Sequence, residues 1–78
     1  VAIRFTNSLL DTVIDRFGTQ NAVYRKLDDW HFEVITKVEI SDQFFGWICG
    51  FGGKVKITSP DSVVKKFVAH LDKIRKKY

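Results

Sequence analysis

The sequence predicts one α+β domain of ferredoxin-like βαββαβ order, with an antiparallel sheet and an additional helix at the C-terminal end. Four segments alternate apolar and polar residues as strands do, and three others place apolar residues at helical spacing. Turn residues separate the segments, and a length of 78 residues fits a single domain. With one Cys and two His, the chain can form neither an internal disulfide nor a closed structural zinc site, so the fold must rest on apolar burial.

A strand followed by a helix is predicted at the start of the chain. Residues 1–5 alternate, with β-branched and aromatic side chains on one face. Ser8 and Asp11 have the spacing of a capping box for a helix that Gly18 ends as a left-handed residue. The apolar face of this helix consists of Leu10, Val13, Ile14 and Phe17.

A β-hairpin is predicted next. A weaker strand candidate at residues 22–27 is followed by two Asp residues that suit a turn. Residues 30–40 carry the strongest strand pattern in the chain, with one apolar face and one largely polar face. This pattern places Trp30 and Phe32 on the core side and His31 on the solvent side.

A second helix is predicted over residues 43–51, with Ser41 or Asp42 as its cap. Gly46 lowers the helix propensity of this segment, so we expect it to permit close approach of a neighbouring backbone. Cys49 lies among aromatic residues, where a buried and unreactive thiol is expected. The glycine-rich stretch GWICGFGG matches neither a phosphate loop nor a dinucleotide fingerprint.

The last two elements are a short strand at residues 54–58 and a terminal helix. Ser59, Pro60 and Asp61 are typical of a helix start, with a cap, a proline at the first helical position and an acid in the first turn. The predicted helix runs close to the end of the chain. Its apolar stripe consists of Val64, Phe67, Val68, Leu71, Ile74 and Tyr78.

The net charge of +4 is concentrated in the terminal helix. Basic and acidic residues balance over residues 1–59, so the whole excess lies in residues 60–78. Cations near a helix C-terminus complement its dipole and keep its outer face soluble. The Lys residues of this helix also form a secondary basic surface: Lys65, Lys66, Lys73, Lys76 and Lys77.

A further basic surface is predicted on the sheet. Four cations fall on the side opposite the apolar residues of their predicted strands: Arg4, Lys37, Lys54 and Lys56. If these strands are neighbours, the four cations line one flat face, moderated by Glu33 and Glu39. This face is either an ordinary solvated sheet face or a docking surface for an anionic ligand or an acidic partner.

The sequence indicates no catalytic residue, metal site or cofactor. A nucleophile needs a base within hydrogen-bond reach, and no such set can be assembled around Cys49, His31 or His70. The stacking aromatics of RNA-recognition sheets are absent from the predicted open face. The chain has no apolar run of transmembrane length and no signal segment, and its unpaired Cys suits a reducing compartment, so a cytoplasmic protein is expected.

Residues 41–71, SDQFFGWICGFGGKVKITSPDSVVKKFVAHL, carry a family resemblance. A helix with a Trp, an apolar pair and a Phe-Gly is followed by a short Val-containing strand and a Pro-led, Lys-rich terminal helix. The residues of this pattern are Trp47, Ile48, Phe51, Gly52, Val55 and Pro60. Over essentially its whole length, the chain resembles the C-terminal extension (WCX) domain of WYL-domain helix-turn-helix transcriptional regulators.

The resemblance implies that residues 1–78 are a single C-terminal regulatory domain, a fragment of a longer regulator. The absence of Met, even at position 1, agrees with this expectation. A helix-turn-helix domain that binds promoter DNA and a WYL domain would precede it, and the regulator would be a homodimer. The expected function is non-catalytic: to help sense a nucleic-acid or small anionic effector and to transmit its binding to the DNA-binding domain. No ligand-contacting residue carries over, because the WYL motif belongs to the preceding domain.

Two alternative functions share the same element order. One is a sensor of an amino acid or a nucleotide, resembling the ACT domains. The other is a small enzyme of acylphosphatase-like fold. The enzyme would need a phosphate-cradling loop after the first strand, but Thr6, Asn7 and Ser8 include neither Gly nor Arg.

Overall fold

The computed structural model describes all residues from 1 to 78 and has the predicted α+β, ferredoxin-like order with a C-terminal helix. The strands are β1 (Ala2–Thr6), β2 (Ala22–Lys26), β3 (His31–Thr36) and β4 (Val55–Ser59). The helices are α1 (Leu10–Phe17), α2 (Asp42–Cys49) and α3 (Asp61–Arg75). Short 3-10 turns precede α1 and β4, at Asn7–Leu9 and Gly52–Lys54.

The four strands form one antiparallel sheet in the order β2-β3-β1-β4, so β2 and β4 are its edges. Phe5 in β1 lies opposite Phe32 in β3 and opposite Val55 in β4. The buried apolar residues of the strands share one core with buried residues of all three helices, including Val13 and Phe45. The helices therefore cover one face of the sheet, and the other face is open.

The core is built around aromatic rings. Phe5 stacks on Phe32 with a centroid distance of 5.6 Å. Trp47 of α2 reaches the inner sheet face through Phe5, at 6.0 Å, and its ring also meets Phe17 of α1 at 5.4 Å and Phe51 at 4.8 Å. Trp47 therefore joins α1, α2 and β1.

The helix ends agree with the sequence at two positions and differ at a third. The Ser41 hydroxyl accepts a hydrogen bond from the Phe44 N–H at 3.1 Å, so Ser41 is the cap of α2. Gly18 ends α1 as predicted, but its φ of 71° and ψ of −168° differ from the predicted left-handed helical conformation and form a combination open essentially to glycine alone. The predicted capping box of α1 is wrong, because Ser8 lies in a 3-10 turn and its hydroxyl meets that of Thr6 at 3.1 Å.

Trp30 does not belong to a strand and is 76% exposed, which corrects its predicted place in the core. The Asp28 carboxylate accepts hydrogen bonds from the backbone N–H groups of Trp30 and His31, at 2.7 and 2.8 Å. These bonds hold the hairpin loop in a turn, so β3 begins only at His31. The apolar–polar alternation continues through Trp30, so the sequence pattern alone cannot show that the Asp28 turn keeps this residue out of the strand.

The predictions for Cys49 and Gly46 are also wrong. Phe44, Phe45 and Ile48 form the buried face of α2, and Cys49 lies about 100° further around the helix, on the exposed side. A Cβ built on Gly46 would meet no atom within 4 Å, so no backbone approaches it. Both residues are on the solvent side of an amphipathic helix.

Helix α3 buries less of its apolar stripe than the sequence predicts. Val63, which was not assigned to the stripe, is its buried residue, and Phe67 packs against Phe45 at 5.3 Å. Val68 and Leu71 are 50% and 41% exposed. Helix α3 follows an edge strand directly and meets only one face of α2, so the side of the stripe away from α2 stays in solvent.

Candidate functional site

The open face of the sheet carries one row of charged side chains that crosses all four strands. Arg25 of β2 lies opposite Glu33 of β3, Glu33 lies opposite Arg4 of β1, and Arg4 lies opposite Lys56 of β4. Neighbouring strands are about 4.8 Å apart, so the row is a nearly straight line of three cations and one acid.

The acid of this row is already paired. Glu33 is only 9% exposed and accepts a hydrogen bond from Arg25 Nη2 at 2.7 Å. Arg4 and Lys56 take part in none of the five ion pairs of the structure. Like charges directly opposite each other on a sheet are destabilising. The Arg4–Lys56 pair is therefore a cationic pair without an acid of its own.

The structure separates the four cations that the sequence predicted on this face. Arg4 and Lys56 are cross-strand neighbours. Lys37 follows the end of β3, beside the start of β1, whereas Lys54 lies in the 3-10 turn before β4, at the opposite end of β1. The observed strands are shorter than the alternating patterns, so Lys37 and Lys54 lie outside the ladders.

Arg25 is the member of the row that sequence reasoning missed. Its strand has the weakest pattern of the four, and the residue opposite it depends on the pairing register. The alternation of residues 22–27 does place Arg25 opposite the inward residues Ala22 and Tyr24, which is the signal that could have found it.

An apolar row lies beside the charged row. Val23, Ile35 and Ala2 are opposite one another across β2, β3 and β1. Val23 and Ile35 are exposed. The open face thus combines a basic line with an apolar line, a composition suited to docking another surface.

The hairpin loop at the end of the sheet is held by Asp28. Besides its two backbone bonds, this carboxylate lies 3.0 Å from Nδ1 of His31. The hydrogen bond from the Trp30 N–H is the main cause that lowers the pKa of Asp28, and the bonds from His31 add to it. The carboxylate is therefore stabilised in its charged form by the loop that it organises.

The secondary basic surface lies partly within α3 and partly beyond its C-terminal end. Lys65, Lys66 and Lys73 lie within α3, and Lys76 and Lys77 follow it. Lys73 and Arg75 are in the last turn, where cations complement the helix dipole. A shallow groove of about 240 Å³ separates this end of α3 from α2, and its lining includes His70, whose Nδ1 is 3.4 Å from Asp42.

The sequence motif has a structural role throughout. Trp47 and Phe51 pack edge to face at 4.8 Å. Gly52 has φ 60°, which lets the chain turn from α2 towards β4. Pro60 is the N-cap of α3, one position earlier than predicted. These residues hold α2, β4 and α3 together and do not line the open face.

The remaining chemical groups are dispersed. No cluster of three or more His, Cys, Asp or Glu side chains is arranged to hold a metal ion. None of the helices combines the length and the apolar character that a membrane span requires.

The fold and the open face together define a small ferredoxin-like domain whose charged side chains are arranged along a flat surface. A family model of the WCX domain matches residues 1–75, and the chain therefore belongs to the WCX domain family. WCX domains are C-terminal modules of WYL-type transcriptional regulators and are generally non-catalytic. Searches of the curated proteins and of the solved structures found no match.

Proposed function

We propose that this domain is the C-terminal regulatory module of a longer cytoplasmic regulator. It helps the regulator to dimerise, and it helps to sense an effector and transmit its binding to an N-terminal helix-turn-helix domain. Membership of the WCX family supports the place in a WYL-type regulator. The open sheet face, with its paired cations Arg4 and Lys56, supports the part in effector response.

The observation that carries this proposal is the cationic pair of Arg4 and Lys56 on the open face. Two cations on adjacent strands repel each other, and the one nearby acid, Glu33, is bound to Arg25. An anionic group placed between Arg4 and Lys56 would remove this repulsion. A carboxylate or phosphate of the effector, of the preceding domain or of the partner subunit has the required charge.

Transmission requires that the anion contacts the pair in only one of two states of the regulator. Both side chains are on strands of the central sheet, which is a rigid platform for such a contact. The adjacent apolar row of Val23 and Ile35 would add buried area in the docked state.

The test is a charge reversal in the complete regulator. Arg4→Glu with Lys56→Glu reverses the sheet pair, and Lys73→Glu with Lys76→Glu makes the same change in net charge on the terminal helix. We expect the effector-dependent change in operator binding to be lost in the sheet variant and retained in the helix variant. Thermal unfolding of both variants checks that the fold is kept.

Two results would overturn the proposal. Loss of the response only in the helix variant would move the effector contact to the terminal helix. An intact response in both variants would leave the domain as a structural dimerisation element.

A further inference from the structure

Strand β4 has a free edge. The strand order of the sheet gives β4 a single neighbour, β1, and leaves its other side unpaired. Outside the β1–β4 ladder, the structure has no hydrogen bond from or to the backbone of β4. The outward N–H and C=O groups of this strand are therefore a template to which another extended segment can add.

An apolar groove lies beside this edge, on the side of the sheet that the helices cover. It is enclosed by the end of α2, the turn before β4 and helix α3, and its volume is about 260 Å³. Small-molecule pockets usually measure about 300–1,000 Å³, so the groove is on the scale of one apolar side chain. The lining consists of Ile48, Cys49, Gly52, Val55, Phe67 and Leu71.

The charge of the β4 edge is positive and uncompensated. Lys56 is on the open face of β4, and Lys54 precedes the strand by one residue. Neither lysine takes part in any of the five ion pairs, and residues 52–59 contain no acid. On the helix side of the groove, Asp72 and Arg75 lie 3.6 Å apart and compensate each other. The two lysines are thus the free charges of this edge.

A strand added to β4 would present its side chains alternately to the two faces of the sheet. Side chains opposite each other on paired strands are on the same face, with Cβ atoms about 4.5–5.5 Å apart. The residue beside Val55 would therefore point towards the apolar groove, and the residue beside Lys56 would lie on the open face. The first position suits an apolar side chain, and the second suits a carboxylate.

The other edge strand, β2, lacks this combination. Its cations Arg25 and Lys26 already lie 2.7 and 3.8 Å from the carboxylates of Glu33 and Asp29. No residue of β2 lines a groove. Pairing of β4 with β4 of a second copy is opposed as well, because it would bring the lysines of the two edges together.

We propose that β4 is a docking edge for an extended segment of a partner protein in which apolar and acidic residues alternate. The segment adds a further strand to the sheet, its apolar side chain fills the groove beside Val55, and its carboxylates bind Lys54 and Lys56. Main-chain hydrogen bonds supply affinity, and the alternation supplies specificity. This docking goes beyond the proposed function, because it requires neither Arg4 nor an effector.

NMR titration of the isotope-labelled chain with a capped peptide of alternating Val and Glu tests the docking. We expect the largest shifts at β4 and around the groove, and slower hydrogen exchange at the outward N–H groups of β4. A peptide of the same composition with Val and Glu in separate blocks should bind about tenfold more weakly. The N-methylated alternating peptide should also bind more weakly, because it cannot donate main-chain hydrogen bonds.

Variants of the chain separate the charge from the groove. Lys54→Glu and Leu71→Gln should each weaken binding of the alternating peptide about tenfold. Lys37→Glu and Val68→Gln are the matched controls, at exposed positions outside the edge and the groove, and should bind as the wild type does. Circular dichroism verifies folding, and Cys49→Gln is a second groove variant if Leu71→Gln unfolds.

Four results would overturn the proposal. They are no binding of the alternating peptide, shifts confined to residues outside β4 and the groove, equal binding of the alternating and block peptides, and binding unchanged by Lys54→Glu or by the groove variant. Each of the variants keeps Arg4 and Lys56, so such a failure leaves the proposed effector contact standing. Loss of the effector response in the Arg4→Glu, Lys56→Glu variant likewise does not depend on the partner segment.

Discussion

Arg25 Nη2 donates to Glu33 Oε1 at 2.7 Å across the β2–β3 ladder, and this bond engages the one acid in the charged row of the open face. Because Arg25 is well exposed and Glu33 is nearly buried, the pair anchors a surface cation to the sheet. Because Glu33 is bound to Arg25, Arg4 of the next strand faces Lys56 without an acid of its own.

Glu33→Gln should therefore increase the affinity of the open face for a polyanion. Gln keeps an acceptor for Arg25 and removes the negative charge between the cations, at a cost of about 1 kcal/mol in stability, since one partner of the ion pair is exposed. Elution from a heparin column should shift to higher salt. Glu39→Gln makes the same charge change at an exposed site outside the row, and an equal shift for both would show that only net charge matters.

The two Trp residues should differ sharply in their effect on stability. Trp47 contacts the rings of Phe5, Phe17 and Phe51, so Trp47→Ala should lower the free energy of unfolding by about 3–5 kcal/mol. Trp30 is exposed, so Trp30→Ala should change it by less than about 0.5 kcal/mol under conditions in which the chain is monomeric. Urea unfolding measures both values, and a midpoint unchanged by Trp47→Ala would contradict the core assignment.

Two glycines should respond to alanine in opposite directions. Gly46 is inside α2 with free space around it, so Gly46→Ala should stabilise the domain by about 0.5–1 kcal/mol. Gly18 has a positive φ, so Gly18→Ala should destabilise it by about 1–3 kcal/mol. Thermal unfolding measures both changes. Destabilisation by Gly46→Ala would instead support the prediction from the sequence that a neighbouring backbone lies close to Gly46.

The hairpin loop should weaken in acid. The folded state lowers the pKa of Asp28, chiefly through the Trp30 N–H, so the charged carboxylate contributes stability above the ordinary Asp pKa, about 3.9. This contribution is lost as the pH falls from there through the lowered folded pKa.

The expected result is that Asp28→Asn flattens the acid limb of the stability curve. Urea midpoints at a series of acidic pH values measure this effect. Asp29→Asn is the control, because the Asp29 carboxylate accepts no backbone hydrogen bond. Parallel curves for the wild type and Asp28→Asn would show that the loop does not depend on this charge.

Periodicity predicted the elements well because it reflects which side of each segment is buried. All four strands and three helices were expected in their observed order, and Ile3, Phe5 and Phe32 face the core as their alternation required. Errors occurred where a local or terminal effect overrode the pattern. Trp30 lies in the turn that Asp28 holds and not in β3. The far side of α3 is exposed because no other element lies against it.

The candidate site was predictable only in part. Arg4 and Lys56 could be placed on the outer face from the parity of their own strands. Their adjacency, the exclusion of Lys37 and Lys54, and the inclusion of Arg25 depended on strand lengths and register. The sequence did show that Trp47, Phe51, Gly52 and Pro60 form a structural pattern, and the matched family confirms the resemblance that they carried.

The sequence by itself determined the order of elements and the inward face of each strand. These properties depend on residues a few positions apart, whose burial follows from local periodicity. Only the tertiary structure decided that Arg25, Glu33, Arg4 and Lys56 form one line across the open face. The physical reason is that such neighbours come from strands far apart in the chain, and their alignment is set by the hydrogen-bond register of the whole sheet.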